Sequence, residues 1–237
     1  GFGLTEWPDL EAAVARMAPG PDGPGVLVVA ESMGGAILGQ FLAQSDLAGR
    51  VTAVALDSPA LSFSAMLDHI ARLDGQPFAG TMARAAGLML PRMTSLPLDT
   101  AEVAEVFRAF PGPLFIAHGA GDRIVPIGPS QTLAAARGAT AVTLWSKADH
   151  LGSYAEAPED YRAAFATFLK GVLGVAEWLR LPKMLVATTL AAFATSSPEL
   201  AVSSMAAASG RPGIGLGDAL GSNVVNLGLI LGLALFF

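Results

Sequence analysis

The sequence predicts an α/β domain with a parallel sheet and a helical cap, followed by two transmembrane α-helices. Over the first 173 residues, short apolar runs alternate with helical patterns, as in a parallel sheet that is covered on both faces. A stretch without any strand pattern, residues 62–110, interrupts this alternation. Charged residues then become rare, since only three of them lie in residues 184–237. We therefore predict an α/β domain at 1–173 and a membrane segment at 174–237.

The composition narrows the function classes. The chain has 237 residues, of which 52% are hydrophobic and 14% charged, and its mean hydropathy is +0.52. A net charge of −6 and the lack of a basic run argue against a nucleic-acid partner. Without cysteine there is no disulfide, thiolate chemistry or cysteine-bound metal. The first residue is Gly1 and the last, Phe237, stands in an apolar run, so we expect both ends to be cut.

Four elements precede the interruption. Apolar residues recur at helical spacing up to Met17, and a turn rich in proline and glycine follows. The runs V-L-V-V-A and V-T-A-V-A-L are continuous and β-branched, which is typical of buried strands. In chain order, we predict a helix at 7–17, a strand at 26–30, a helix at 36–43 and a strand at 51–56.

The interruption and the elements after it complete the domain. Apolar, methionine-rich helical pieces at 66–73, 78–90 and 101–107 would form a cap above the sheet. The cap's apolar residues favour an acyl chain and ordinary packing equally. After the cap we predict a strand at 113–117, a helix at 128–137, a strand at 141–145 and a helix at 158–169.

A serine stands where the first strand turns into a helix, in the run A-E-S-M-G-G. A sharp strand-to-helix turn strains the serine backbone and presents its hydroxyl, the geometry of a nucleophile elbow. Small residues are needed on either side, which accounts for Ala30 and Gly34. The motif has alanine where the usual pattern has glycine. The alternative interpretation is that Ser32 caps the following helix.

An activated serine needs a base and an acid that orients the base. Asp122 and His150 each follow a predicted strand, at the sheet edge where catalytic side chains collect. The alternative for Asp122 is a turn residue, and a lone loop histidine is usually unremarkable. Asp149 adjoins His150, but neighbours in a loop seldom face each other, so Asp122 is the better orienting acid.

Two more histidines are not assigned to the catalytic site. His118 lies beside a strand end, and we expect it to be structural. His69 lies in the cap, and the sequence shows no partner for it.

The runs A-E-S-M-G-G, H-G-A-G-D-R-I-V-P and K-A-D-H resemble the α/β-hydrolase superfamily, above all its monoacylglycerol-lipase and serine-aminopeptidase branch. The order of serine, acid and histidine agrees with that family. The resemblance implies a catalytic triad with Ser32 as nucleophile, His150 as base and Asp122 as orienting acid. It implies an oxyanion donor in the Met33 backbone N–H, a lipophilic ester substrate of the acyl-glycerol or lysophospholipid type, and no cofactor.

The same resemblance implies strands and a loop ahead of the elbow that we do not find in this sequence. The family's first strands, and the loop that gives a second oxyanion donor, have no counterpart ahead of Ser32. Losing one oxyanion donor costs about 10²–10³ in rate. Whether this chain is an active enzyme therefore stays open.

Two apolar segments, at about 184–208 and 214–237, are long enough to cross a bilayer. The second holds thirteen Leu, Ile, Val or Phe residues and inserts favourably, whereas the first holds six and belongs inside a helix bundle. Glu199 falls near the middle of the first span, next to a proline. A carboxylate is costly there unless it serves a site. The alternative is a bundle helix with one buried acid.

The runs F-A-T-S-S-P-E-L-A-V-S and G-D-A-L-G-S-N-V-V-N resemble the first α-repeat of sodium/calcium exchangers, the calcium/cation antiporter superfamily. The resemblance covers about 179–237 and implies Ca²⁺ and Na⁺ as transported ions. It implies that oxygen atoms of five residues bind the cation: Glu199, Thr195, Ser196, Asn223 and Asp218. Of these, Asp218 is the least typical of the family. Such a site needs the remainder of an exchanger bundle as its partner.

Two functions are thus predicted for one chain. The first is a serine hydrolase of carboxylic esters joined to an exchanger fragment. The alternative is an antiporter fragment whose first part is a non-catalytic or artificially fused hydrolase remnant. Both place the chain in a membrane, in contact with lipid, and we expect the hydrolase domain in the cytoplasm.

Overall fold

A computed structural model of the chain describes residues 1–20, 25–73, 75, 78–94 and 96–178. The chain divides into two units, Gly1–Leu179 and Arg180–Phe237. Both predicted membrane spans lie outside the described residues, and so do the five predicted cation ligands. No helix in the described part of the chain is long and apolar enough to cross a bilayer.

The described residues contain a four-stranded parallel sheet in the order β1-β2-β3-β4. All four strands were predicted, and each runs one or two residues further at its carboxyl end than its apolar run. The polar residues that end β1 and β2 are therefore part of the sheet. The strands are β1 Val26–Glu31, β2 Val51–Asp57, β3 Leu114–Gly119 and β4 Ala141–Ser146.

The helices of the described region follow the predicted order, with a few corrections. The helix after Ser32 begins at once instead of at residue 36. The last helix continues to Trp178, beyond its predicted end at residue 169. A short helix, α7, was missed. The bounds are α1 Trp7–Met17, α2 Met33–Gln44, α3 Phe63–Leu73, α4 Ala79–Thr94, α5 Ala104–Ala109, α6 Gly128–Arg137, α7 Ser153–Glu156 and α8 Pro158–Trp178.

Both faces of the sheet are covered, as predicted. Successive residues of a strand point to opposite faces, and β3 shows this alternation. Leu114 and Ile116 belong to one core cluster with residues of α1, α2, α5 and α6. Phe115 belongs to the opposite cluster, together with Phe168 of α8. Burial on both faces explains why these strands read as continuous apolar runs.

Helices α3 and α4 form the cap between β2 and α5, and they pack against each other. The third predicted cap piece, 101–107, is instead part of the core, where Phe107 of α5 belongs to the same cluster as Leu114. The ring of His69 in α3 contacts the backbone of Asp122, which follows β3. The cap therefore lies at the carboxyl edge of the sheet, next to the predicted site.

Candidate functional site

A strained serine joins β1 to α2. Ser32 has φ 50° and ψ −119°, a region that L-residues rarely occupy. Its N–H donates to the carbonyl of Asp57 at 3.0 Å, and its carbonyl accepts from the N–H of Ala60 at 2.8 Å. The Ser32 side chain makes no capping hydrogen bond to α2. The alternative interpretation, a serine that caps the helix, is therefore wrong.

Close packing around the turn depends on a different glycine from the one that the motif suggested. A Cβ on Gly34 would lie 3.6 Å from the Cβ of Ala30, an ordinary contact. A Cβ on Gly35 would lie 2.7 Å from the Cβ of Pro59, which is too close. The neighbouring strand end therefore requires glycine at position 35.

The imidazole of His150 joins the serine to the acid. Its Nε2 lies 2.8 Å from the Ser32 hydroxyl, and its Nδ1 lies 2.7 Å from Oδ2 of Asp122. The His150 side chain is 13% exposed, whereas that of Asp122 is fully buried. With the proton on Nδ1, His150 donates to the carboxylate and accepts from the hydroxyl. The structure thus brings together the three residues that the sequence singled out.

Asp122 is both a turn residue and the partner of His150. Its Oδ1 accepts the N–H groups of Ile124 and Val125, each at 2.8 Å. Its Oδ2 faces His150 and, at 3.2 Å, Nε2 of His118. Burial opposes the charged form, but hydrogen bonds from His118, His150 and the two backbone N–H groups outweigh it. Together they hold the pKa of Asp122 well below its usual range.

His118 contacts the same carboxylate oxygen of Asp122 as His150 does. It is fully buried in β3, its Nδ1 lies 2.8 Å from the hydroxyl of Ser130, and its Nε2 lies 3.1 Å from the carbonyl of Val125. The expected structural role agrees with these contacts. Sequence reasoning missed the contact with Asp122, although a histidine four residues ahead of an acid was a usable signal.

His69 has a partner that the sequence did not show. Its Nε2 lies 3.1 Å from the backbone carbonyl of Asp122. This contact was not visible in the sequence because a partner in the main chain leaves no mark in the sequence pattern.

Asp149 faces away from the imidazole of its neighbour, as predicted. Its carboxylate pairs with Arg123, whose Nε lies 2.8 Å from Oδ2. Its Oδ1 accepts the backbone N–H of His150 at 2.8 Å. Hydrogen bonds from Arg123 and from this N–H lower the pKa of Asp149 to about 2.

Two further carboxylates lie beside the site, and sequence reasoning did not single them out. Glu31 and Asp57 are neighbours in register at the ends of β1 and β2. Burial raises the pKa of both groups. The hydroxyl of Tyr161 donates to Oδ2 of Asp57 at 2.9 Å. Both acids directly precede a serine at a strand end, which was the available signal.

A hydrogen-bonded chain leads from this acid to the histidine loop. The hydroxyl of Ser58 donates to Oδ1 of Asp57 at 3.3 Å and accepts the N–H of Leu151 at the same distance. Leu151 directly follows His150 and has a φ of 56°, in the left-handed region. These hydrogen bonds through Ser58 therefore hold the backbone that positions the imidazole of His150.

Known structures share the fold of the described domain. An esterase of Pyrococcus furiosus superposes with a TM-score of 0.50 and 18% sequence identity, over 71% of this chain and 62% of that protein. At this identity the likeness concerns the fold alone. The resemblance to the α/β-hydrolase fold is confirmed.

The carboxyl-terminal part of the chain resembles a different family. Residues 163–237 match the family model described as sodium/calcium exchanger protein. The sodium/calcium exchanger MaX1 of Methanosarcina acetivorans is 44% identical over 70 residues, which cover 30% of this chain and 20% of that protein. An uncharacterized membrane protein of Methanocaldococcus jannaschii is 36% identical over 67 residues, 28% of this chain and 22% of that protein. The chain thus spans about a fifth of the length of these relatives. The second predicted resemblance is also confirmed.

Proposed function

We propose that the described domain, which has an α/β-hydrolase fold, is a serine hydrolase of carboxylic esters. The observation that carries the proposal is the continuous hydrogen-bonded chain from the Ser32 hydroxyl through His150 to Asp122. A serine with positive φ at the start of a helix supports it, because this backbone presents the hydroxyl at the sheet edge.

In the first step, Ser32 Oγ attacks the ester carbonyl carbon while Nε2 of His150 takes the hydroxyl proton. The 2.8 Å separation between these two atoms suits direct proton transfer. Asp122 keeps the proton on Nδ1 and stabilises the imidazolium that forms. Its lowered pKa keeps the carboxylate ionised throughout the neutral pH range.

Negative charge develops on the carbonyl oxygen as the tetrahedral intermediate forms. The Met33 N–H belongs to the first turn of α2, where N–H groups have no partner within the helix. We assign this N–H as an oxyanion donor. His150 then protonates the leaving alkoxide, and a water activated by the same imidazole releases the acid.

We propose lipophilic acyl esters, of the acyl-glycerol or lysophospholipid type, as the substrate class. The cap supports this choice because α3 reaches the site through His69 and carries apolar residues beside it. Met66 packs on a core cluster that includes Ala36, in the second turn of α2. An apolar cap close to the serine favours substrates with an alkyl chain.

A fluorophosphonate probe tests this function, because it reacts only with an activated serine. We expect the full chain to be labelled and Ser32→Ala to abolish labelling. The matched control is Ser64→Ala, which removes an exposed cap hydroxyl and should leave labelling unchanged. Labelling that persists in Ser32→Ala contradicts the proposal, as does a wild-type chain that is not labelled.

A second candidate function rests on the exchanger match of residues 163–237. Here the chain is part of a cation antiporter of Ca²⁺ and Na⁺, with two membrane spans, at about 184–208 and 214–237, and the hydrolase domain in the cytoplasm. Glu199 is the principal ligand in this proposal, and these residues assist it: Thr195, Ser196, Asn223 and Asp218. The remainder of an exchanger bundle completes the site.

Ca²⁺ should protect the detergent-solubilised chain from proteolysis, and Glu199→Gln should remove that protection. Protection that is indifferent to this substitution contradicts the cation site.

A further inference from the structure

Two acids lie side by side at the end of the sheet, outside the proposed triad. Glu31 ends β1 and Asp57 ends β2, and the two residues are partners in register. Alternate residues of a strand share one face of a sheet. Leu27 and Val29 precede Glu31 on the face that α8 covers. Ala55 precedes Asp57 on that same face. Both carboxyl groups therefore lie on the side of the sheet that α8 covers.

Hydrogen bonds favour the charge on one member of the pair. The hydroxyl of Tyr161 in α8 donates to Oδ2 of Asp57 at 2.9 Å, and the hydroxyl of Ser58 donates to Oδ1 at 3.3 Å. Among the described residues, the carboxyl group of Glu31 receives no such bond. Asp57 is 6% exposed and Glu31 is half-buried, so water screens their charges little. Because hydrogen bonds stabilise a carboxylate, Asp57 is the better site for the charge and Glu31 for a proton.

The titratable groups that face the pair come from three other parts of the domain. They are His118 of β3, His150 in the loop after β4, and Tyr161 of α8. Burial raises the pKa of both acids, and the charge of Asp57 raises the pKa of Glu31 further. The charge of His150 acts on both acids in the opposite direction, and that of His118 acts on Asp57. Since attraction between charges is mutual, the charged acids in turn favour the imidazolium form of His150.

We propose that Glu31 and Asp57 keep one shared proton up to the pH at which histidine titrates, and that they act as a positioning pair for His150. This inference rests on the proposed hydrolase function. With one charge, the pair anchors the hydrogen bonds that run through Ser58 to the N–H of Leu151, and so the loop that carries the imidazole. When the second proton leaves, the added charge favours the imidazolium. The two equilibria oppose each other, so the base becomes available over a wider pH range than a single ionisation gives.

An NMR titration of the histidine rings in the detergent-solubilised full chain tests the pair without relying on catalysis. The chain has three histidines, so His150→Ala identifies the signal of His150. We expect Glu31→Gln and Asp57→Asn each to lower the midpoint of this titration by about half a pH unit, because each removes a neighbouring negative charge. Glu31→Gln should also give the slope of a single ionisation. The control is Glu159→Gln, which removes one exposed charge from α8 and should leave the midpoint unchanged.

Two further measurements complete the test. The midpoint of the pH dependence of fluorophosphonate labelling at Ser32 should fall in both variants, as the NMR midpoint does. Infrared spectra at about pH 6, above the ordinary range of carboxyl groups, should show a protonated carboxyl band in wild type that Glu31→Gln lacks.

NMR midpoints that stay unchanged in both variants overturn the proposal, and so do infrared spectra of wild type and Glu31→Gln that agree at this pH. A wild-type chain that is not labelled, although the NMR midpoints move as expected, supports the charge coupling and contradicts only the hydrolase function.

Discussion

Replacing Asp122 by asparagine tests how the acid positions the base. Oδ1 of Asp122 is held by the N–H groups of Ile124 and Val125. In Asp122→Asn the amide oxygen keeps these two bonds, and the NH₂ group must then face His150. Because an NH₂ group donates, it forces Nδ1 of His150 to accept and moves the imidazole proton to Nε2.

In this tautomer Nε2 of His150 carries a proton that points at Ser32, so the imidazole can no longer accept the proton of the hydroxyl. The known cost of this change in a serine–histidine–aspartate site is about 10⁴ in rate. The NH₂ group also meets Nε2 of His118, which already donates towards this position. A buried donor left without a partner costs about 1–3 kcal/mol. We therefore expect a slower reaction together with reduced stability.

The assay is the rate of fluorophosphonate labelling, with thermal unfolding measured on the same samples. The matched control is Asp149→Asn, which removes a carboxylate one residue from His150 but facing Arg123. It should label within about threefold of wild type, as expected for an exposed ion pair. If Asp122→Asn stays within tenfold of wild type, or if both variants slow equally, the assignment of Asp122 as the orienting acid is refuted.

Three further predictions concern stability and positioning. Because the pKa of Asp122 is lowered in the folded state, the stability that its carboxylate contributes is complete above about pH 4 and is lost as the pH falls further. When urea unfolding is measured at pH 7 and at pH 3, the free energy of unfolding should therefore decrease less in Asp122→Asn than in wild type. Gly35→Ala should destabilise the domain by about 1–3 kcal/mol, because the added Cβ would lie 2.7 Å from the Cβ of Pro59. The control Gly87→Ala, in open space on α4, should stabilise the domain by about 0.5–1 kcal/mol. Equal melting temperatures of the two variants would contradict this prediction. Ser58→Ala removes the acceptor for the N–H that follows His150, so labelling should slow by up to about tenfold with unchanged probe affinity; a change in affinity alone would contradict a positioning role.

The strands were predictable because burial on both faces leaves an unbroken apolar run in the sequence. The strand ends were less predictable, since Glu31 and Asp57 continue the sheet with polar side chains. Hydrophobicity alone marks such residues as loop. The far end of α8 was missed because Gly171 directly follows Lys170, as a glycine that ends a helix would, yet the helix continues through it.

The three main site residues were predictable because each follows the carboxyl end of a strand and their order fits one reaction. The supporting contacts were not. His69 binds a backbone carbonyl, and Ser58 acts through the N–H of Leu151. Contacts to the main chain do not depend on the partner's residue type, so the sequence carries no trace of them. His118 was placed correctly as structural, yet its contact with Asp122 needed the three-dimensional turn between them.

The most direct test of the central claim is to map the fluorophosphonate adduct by peptide mass spectrometry, in wild type and in His150→Ala. If Ser32 is activated by the imidazole 2.8 Å away, the adduct lies on the peptide that contains Ser32, and its formation falls sharply without His150. An adduct on another serine, or labelling of Ser32 at an undiminished rate in His150→Ala, would contradict the account.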